Sequence, residues 1–161
     1  MSANPSILVI GTADTKSDEL LYLGERVRAA GGTPLFMDVG VLEPATFTPD
    51  FTNDAVARAG GSTLDTLRGC GDENTAMTAM ARGAAALTLA AWREGRIQGV
   101  LMLGGSMGTD LALDVAAALP LGVPKVVLST IAHSHLIPPE RITPDLTMML
   151  WAGGLYGLNS I

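Results

Sequence analysis

Ile7-Leu8-Val9-Ile10-Gly11-Thr12-Ala13-Asp14-Thr15-Lys16 decides the fold. Four apolar residues in an unbroken run suit a strand buried on both faces. Gly11 permits a sharp turn at the strand end, and from near Ser17 the pattern becomes helical. Gly11–Lys16 also has the chemistry to grip an anion. The hydroxyls of Thr12 and Thr15, the free N–H groups of a helix start and the Lys16 ammonium all suit phosphate. Lys16 is one of two lysines in 161 residues, the other being Lys125. The segment fits neither GxGxxG nor GxxxxGK[ST]. A tight turn in which Asp14 or Thr15 merely caps the helix is the competing reading.

Working outward, short apolar runs alternate with helical ones, which predicts an α/β fold with a mostly parallel sheet of about five strands. Strands are expected at Ile7–Ile10, Pro34–Asp38, Val100–Leu103, Lys125–Leu128 and Leu146–Leu150. A helix over Ser17–Ala30 carries Leu20, Leu21, Leu23 and Val27 on one stripe and stops at Gly31-Gly32. A short helix is expected over Asn53–Ala59. A longer one, capped by Asp72 or Asn74, runs to about Glu94 with Ala76, Met77, Met80, Ala84, Leu87 and Ala91 inward. A further helix follows Gly104–Thr109 and breaks at Leu119-Pro120-Leu121-Gly122. Leu42–Asp54 has no periodicity and reads as a long functional or mobile loop.

The chain is 48% hydrophobic but only 4% aromatic, so the core must rest on aliphatic residues and eight methionines. One globular domain over residues 1–161 is the expectation. A net charge of −6 without a basic tract argues against nucleic acid and anionic membranes as partners. The lone Cys70 offers no internal disulfide, and the first ten residues do not resemble a signal peptide. A cytoplasmic protein follows as the default.

In a parallel sheet the ligand gathers beyond the carboxyl ends of the strands. Four segments there are small or hydroxylated: Gly11–Lys16, Asp38-Val39-Gly40, Gly104–Thr109 and Ser129-Thr130. Gly104-Gly105-Ser106-Met107-Gly108-Thr109 is the strongest taken alone, since three glycines opening a helix form an anion cradle. Close helix–sheet packing is the alternative use of those glycines. Asp14 and Asp38 are placed to reach Mg²⁺ through water. His133 and His135 would point the same way from extended backbone, as a metal pair requires. A hydrolytic triad from Ser106 or Ser129 with Asp114 and either histidine is a weaker arrangement, because the acid follows the nucleophile too soon.

The GTADTK core within Ile7–Leu20 resembles the opening of the Tm-one-like ATP-binding family, which takes its name from a tomato mosaic virus resistance protein. The resemblance continues through Ala79–Ala85, Gly99–Thr109, Leu119–Lys125, Ser129-Thr130, Asp145–Met149 and Gly157-Leu158-Asn159. It implies a Rossmann-like three-layer lobe that binds ATP and is normally followed by a second α/β lobe. By that resemblance Gly11, Thr12, Ala13, Asp14, Thr15, Lys16, Asp38, Gly104, Gly105, Ser106, Gly108, Thr109, Ser129 and Thr130 form the nucleotide site. Met107 departs from the family's usual G-G-S-G-G-T, where a side chain would crowd a phosphate. Three functions follow as expectations. The first is an ATP-binding lobe, with magnesium, of a larger or split enzyme, with a homo-oligomer or a separate second-lobe subunit as the expected partner. The second is a non-catalytic assembly lobe that has lost nucleotide binding. The third is an enzyme acting on a phosphorylated metabolite.

Overall fold

A computed structural model describes residues 4–151. Five strands form one parallel sheet: β1 Ser6–Gly11, β2 Thr33–Asp38, β3 Gly99–Gly104, β4 Lys125–Ser129 and β5 Leu146–Leu150. Their spatial order is β2-β1-β3-β4-β5, and every pairing is parallel. All five carboxyl ends therefore lie on one edge, with Gly11 opposite Asp38 and Gly104 opposite Ser129. The connections reverse direction between β1 and β3, which makes that pair the switch point of the sheet.

Alternation along the strands builds the layers. Leu8 and Ile10 enter one core while Val9 enters the other, as the two-residue period of a strand demands. The larger core takes α2 Asn53–Ala59, α4 Glu73–Arg93 and α5 Ser106–Ala118, joined by Leu67 of α3 Leu64–Gly69. The smaller lies under α1 Ala13–Ala29, where Leu20, Leu23 and Val27 meet Val9, Phe36 and Leu103. Helices thus cover both faces of the sheet, in a three-layer, Rossmann-like arrangement.

The strands and four of the five helices stand where the sequence pattern put them. Leu21 is the exception on α1, being 37% exposed beside its buried neighbours. A short helix, α3, occupies a stretch with no assigned element. Its Thr63 hydroxyl accepts from the Thr66 N–H at 3.2 Å, a local cap too brief to register as periodicity. The Leu42–Asp54 loop is partly tethered. Phe51 is buried and bridges Met37 as a parallel partner, and Asp50 accepts from the Phe36 N–H at 2.7 Å. Lys125 is buried at the start of β4, away from the carboxyl edge. It donates to Asp145 at 2.5 Å and to the Pro120 carbonyl at 2.9 Å. The Gly157-Leu158-Asn159 positions lie outside the described residues.

Candidate functional site

A cleft of about 750 Å³ opens at the carboxyl edge beside the β1–β3 switch point. One wall is the start of α1, with Thr12, Asp14, Thr15 and Lys16. A second is the start of α5, with Gly105, Ser106, Met107 and Gly108. The remainder comes from Val39–Leu42 after β2 and from the Arg68–Met77 segment. Its volume falls within the roughly 300–1,000 Å³ range of small-molecule sites.

Neither helix start is capped by its own N-cap side chain. Thr12 and Gly105 stand at the N-cap positions with extended backbone, and neither makes a capping bond. In α5 the first backbone bond is Thr109 N–H to the Gly105 carbonyl at 2.8 Å. The N–H groups of Ser106, Met107 and Gly108 precede it and have no intrahelical acceptor. Each helix also places the positive end of its dipole at the cleft.

The glycines of this turn divide by what surrounds them. A Cβ on Gly104 would meet the Gly108 Cα at 2.6 Å, so Gly104 is demanded by the close seating of α5. Gly105 and Gly108 are different. The nearest atom to a Cβ on either is 3.8 Å away or more, and neither has a positive φ. No neighbouring protein atom excludes a side chain there. The space beside them is open to whatever enters the cleft.

Lys16 interrupts α1 with φ −137° and ψ 29°, so Ala13–Thr15 forms an initial turn and the helix proper begins at Ser17. The Lys16 Nζ lies 4.7 Å from the centre of the Trp151 ring. Thr12 and Thr15 share a hydroxyl–hydroxyl bond of 2.9 Å at the cleft surface. Asp14 accepts from the Leu42 N–H at 3.1 Å through Oδ2, while its buried Oδ1 has no hydrogen-bond partner.

Asp38 and Ala13 lie beneath this surface. The Asp38 carboxylate accepts from the Ala13 N–H at 3.0 Å and the Gly40 N–H at 2.8 Å, joining the ends of β1 and β2. Burial raises its carboxyl above the ordinary carboxylate range. The two backbone N–H groups oppose that rise and the Asp14 charge adds to it. Thr109 and Ser129 also turn inward. Their hydroxyls bond each other at 2.7 Å, and Ser129 Oγ accepts from the Ile131 N–H at 3.0 Å. Thr130 packs beside Gly105 and ties to the Gly104 carbonyl through its N–H.

Thr12, Asp14, Thr15, Lys16, Gly105, Ser106 and Gly108 therefore meet in the cleft, whereas Gly11, Ala13, Asp38, Gly104, Ser129 and Thr130 hold its frame. Thr109 is buried behind the cleft and lines a neighbouring cavity. Met107 accepts the helical backbone of α5 and lines the cleft wall. Sequence reasoning passed over Arg68 and Gly71, because α3 gave no periodic signal, and it placed Met77 in the core. Met77 packs against that core, partly buried, and also lines the cleft. Arg68 Nε donates to the Val41 carbonyl at 2.6 Å, which fixes the guanidinium at the rim.

The histidine pair does not adopt extended backbone. His133 sits at φ 63° in a turn, and both side chains are exposed. Among the described residues no three His, Cys, Asp or Glu side chains cluster as metal ligands. Asp114, the acid of the triad reading, is held by Arg141 at 2.6 Å. No helix of the described residues is long and apolar enough to cross a membrane.

These features define a parallel α/β domain with a ligand-sized cleft at its topological switch point. The chain belongs to the uncharacterised protein family UPF0261, matching its N-terminal domain over residues 5–161. It is 56% identical over 158 residues to a UPF0261 protein of Brucella suis, covering 98% of this chain and 38% of that protein. A Clostridium tetani UPF0261 protein is 34% identical, with 98% and 39% covered. The ToMV resistance protein Tm-1(GCR237) of Solanum lycopersicum is 31% identical over 177 residues, with 99% of this chain and 23% of that protein covered. The chain thus spans about two fifths of the length of these bacterial relatives.

Proposed function

We propose that the cleft binds the phosphates of a nucleotide, ATP with Mg²⁺, and that the chain serves as the nucleotide-binding lobe of a larger or multi-subunit enzyme. One observation carries the reading. The uncapped start of α5 faces a cleft that holds Lys16 and Arg68, and within that turn lie two glycines, Gly105 and Gly108, that no neighbouring protein atom requires. Glycine in that position lets a ligand approach the backbone closely. The N–H groups of Ser106, Met107 and Gly108 would hold phosphate oxygens. Lys16 and Arg68 would neutralise charge, and the hydroxyls of Thr12, Thr15 and Ser106 would orient the chain of phosphates. ATP itself comes from the resemblance described above; the cleft chemistry alone supports phosphate.

The donor set also suits magnesium held through water. Asp14 Oδ1 is a buried carboxylate oxygen without a partner, the type of hard oxygen that hydrated Mg²⁺ prefers. The assembly reading has its own support in edge strand β5, where Met149 and Leu150 are 53% and 64% exposed.

Isothermal titration of ATP, ADP and Mg²⁺ into the wild-type chain and Lys16→Ala separates these readings. Nucleotide binding that weakens at least about tenfold in Lys16→Ala is expected, in line with loss of a charge-assisted phosphate contact. A wild type that ignores every nucleotide would overturn the reading. Self-association in sedimentation would then favour assembly, and binding of a phosphorylated metabolite the third function.

A further inference from the structure

Next to the large cleft lies a second cavity of about 310 Å³, bounded by α4, α5 and the Ile131–Pro138 turn. Met77, Ser106 and Met107 line both spaces. Two of these three are methionines, unbranched side chains that change rotamer at little cost. The walls of the smaller space are Ala81, Leu111, Leu113, Ile137 and Pro138, with the polar groups of Asn74 and Thr78 at its margin.

Its two carboxylates, Asp110 and Asp114, share one guanidinium. Arg141, from the short 3-10 turn Pro139–Arg141, bonds Asp110 and, at 2.6 Å, Asp114. The same clasp holds the segment following β4 against α5. An anionic group entering the chamber would lose water and meet the net negative charge of two carboxylates on one guanidinium, so an occupant without negative charge is favoured. At about 310 Å³ the chamber stands at the lower end of small-molecule sites and suits a fragment-sized group.

We propose that Met77 and Met107 partition one site into two chambers, and that the smaller takes a neutral, largely apolar group bearing a hydroxyl or amide. That group lies against the terminal phosphate of the nucleotide, because Met107 belongs to the turn whose N–H groups face the anion. The inference rests on the nucleotide reading. It adds the chemical class of a second ligand and assigns Met107 to selecting it.

The test compares ATP with its γ-benzyl ester by isothermal titration. The proteins are the wild type, Thr78→Trp and Leu136→Trp, two exposed positions from different elements that line only the smaller chamber. The wild type is expected to bind both ligands with Kd values within about threefold of each other. Each tryptophan variant should keep ATP affinity within about twofold and weaken the ester at least about tenfold, as filling a cavity excludes its occupant. Retained ATP binding certifies that the variants are folded. An ester refused by a wild type that binds ATP, or bound equally by both variants, overturns the second chamber and leaves the nucleotide reading standing. Absence of ATP binding in the wild type overturns both.

Discussion

At the scale of single residues, three glycines of one turn do different work, and substitutions should separate them. Gly108 has room for a methyl group and a helical backbone. Gly108→Ala should therefore stabilise the fold by about 0.5–1 kcal/mol, the usual helical gain, while weakening ATP at least about tenfold. Thermal melts and titration read the two effects in opposite directions. Gly104→Ala, whose Cβ meets the Gly108 backbone, should instead lower the melting temperature. Asp38 gives a second contrast. Asp38→Ala leaves the buried N–H groups of Ala13 and Gly40 without an acceptor and should cost about 2–4 kcal/mol in denaturant unfolding. Asp38→Asn keeps an oxygen for both and should cost less. Its sign with pH also follows, because a carboxyl raised by burial resists ionisation. Stability falls as pH climbs from the unfolded value through the folded one, and Asp38→Asn removes that slope.

Among elements, the seating of α2 on α4 depends on an approach that only glycine allows. A Cβ on Gly83 would run into the Val56 carbonyl and stand 2.8 Å from the Gly60 N; one on Gly60 would meet the Ala79 backbone. Gly83→Ala should push α2 away and destabilise the fold by about 1–3 kcal/mol, measured by urea unfolding. This contact was invisible in the sequence, where Gly83 looked like one small residue among alanines. Elements themselves were legible to the extent that they bury a regular pattern. β1 and β3, buried on both faces, appear as plain apolar runs, and α4 repeats its inward alanines over 21 residues. α3 buries only Leu67, so six residues offered no period to detect. Its neighbours Arg68 and Gly71 were lost from the site for the same reason.

For the molecule as a whole, strand order brings the β1 and β3 turns together, and the sequence supplied both turns without stating their adjacency. Side-chain direction was the larger gap. Thr109 and Ser129 have the chemistry of phosphate ligands, but the pairing of Gly104 with Ser129 turns their hydroxyls toward each other. At the opposite edge of the sheet, Lys125 and Asp145 staple β4 to the start of β5. The Lys125 hydrogen bond, helped by the Gly122 N–H, holds the Asp145 carboxyl down at about 2. A lowered carboxylate stabilises the fold above its unfolded pKa of about 4, and the gain disappears as pH falls toward 2. Melting temperature should drop through that window in the wild type, and Asp145→Asn should flatten the drop while lowering stability at neutral pH. The contact between Lys16 and Trp151 has an optical consequence. The chain has two tryptophans, and Trp92, partly buried, packs against the larger core from the end of α4. In a Trp92→Phe protein all indole emission comes from the ring beneath the Lys16 ammonium. Drawing that cation toward a phosphate should change the emission, and Lys16→Ala should abolish the change. Spectra that stay constant at saturating ATP would mean that Lys16 never leaves the ring, so the fluorescence reports directly where this charge resides.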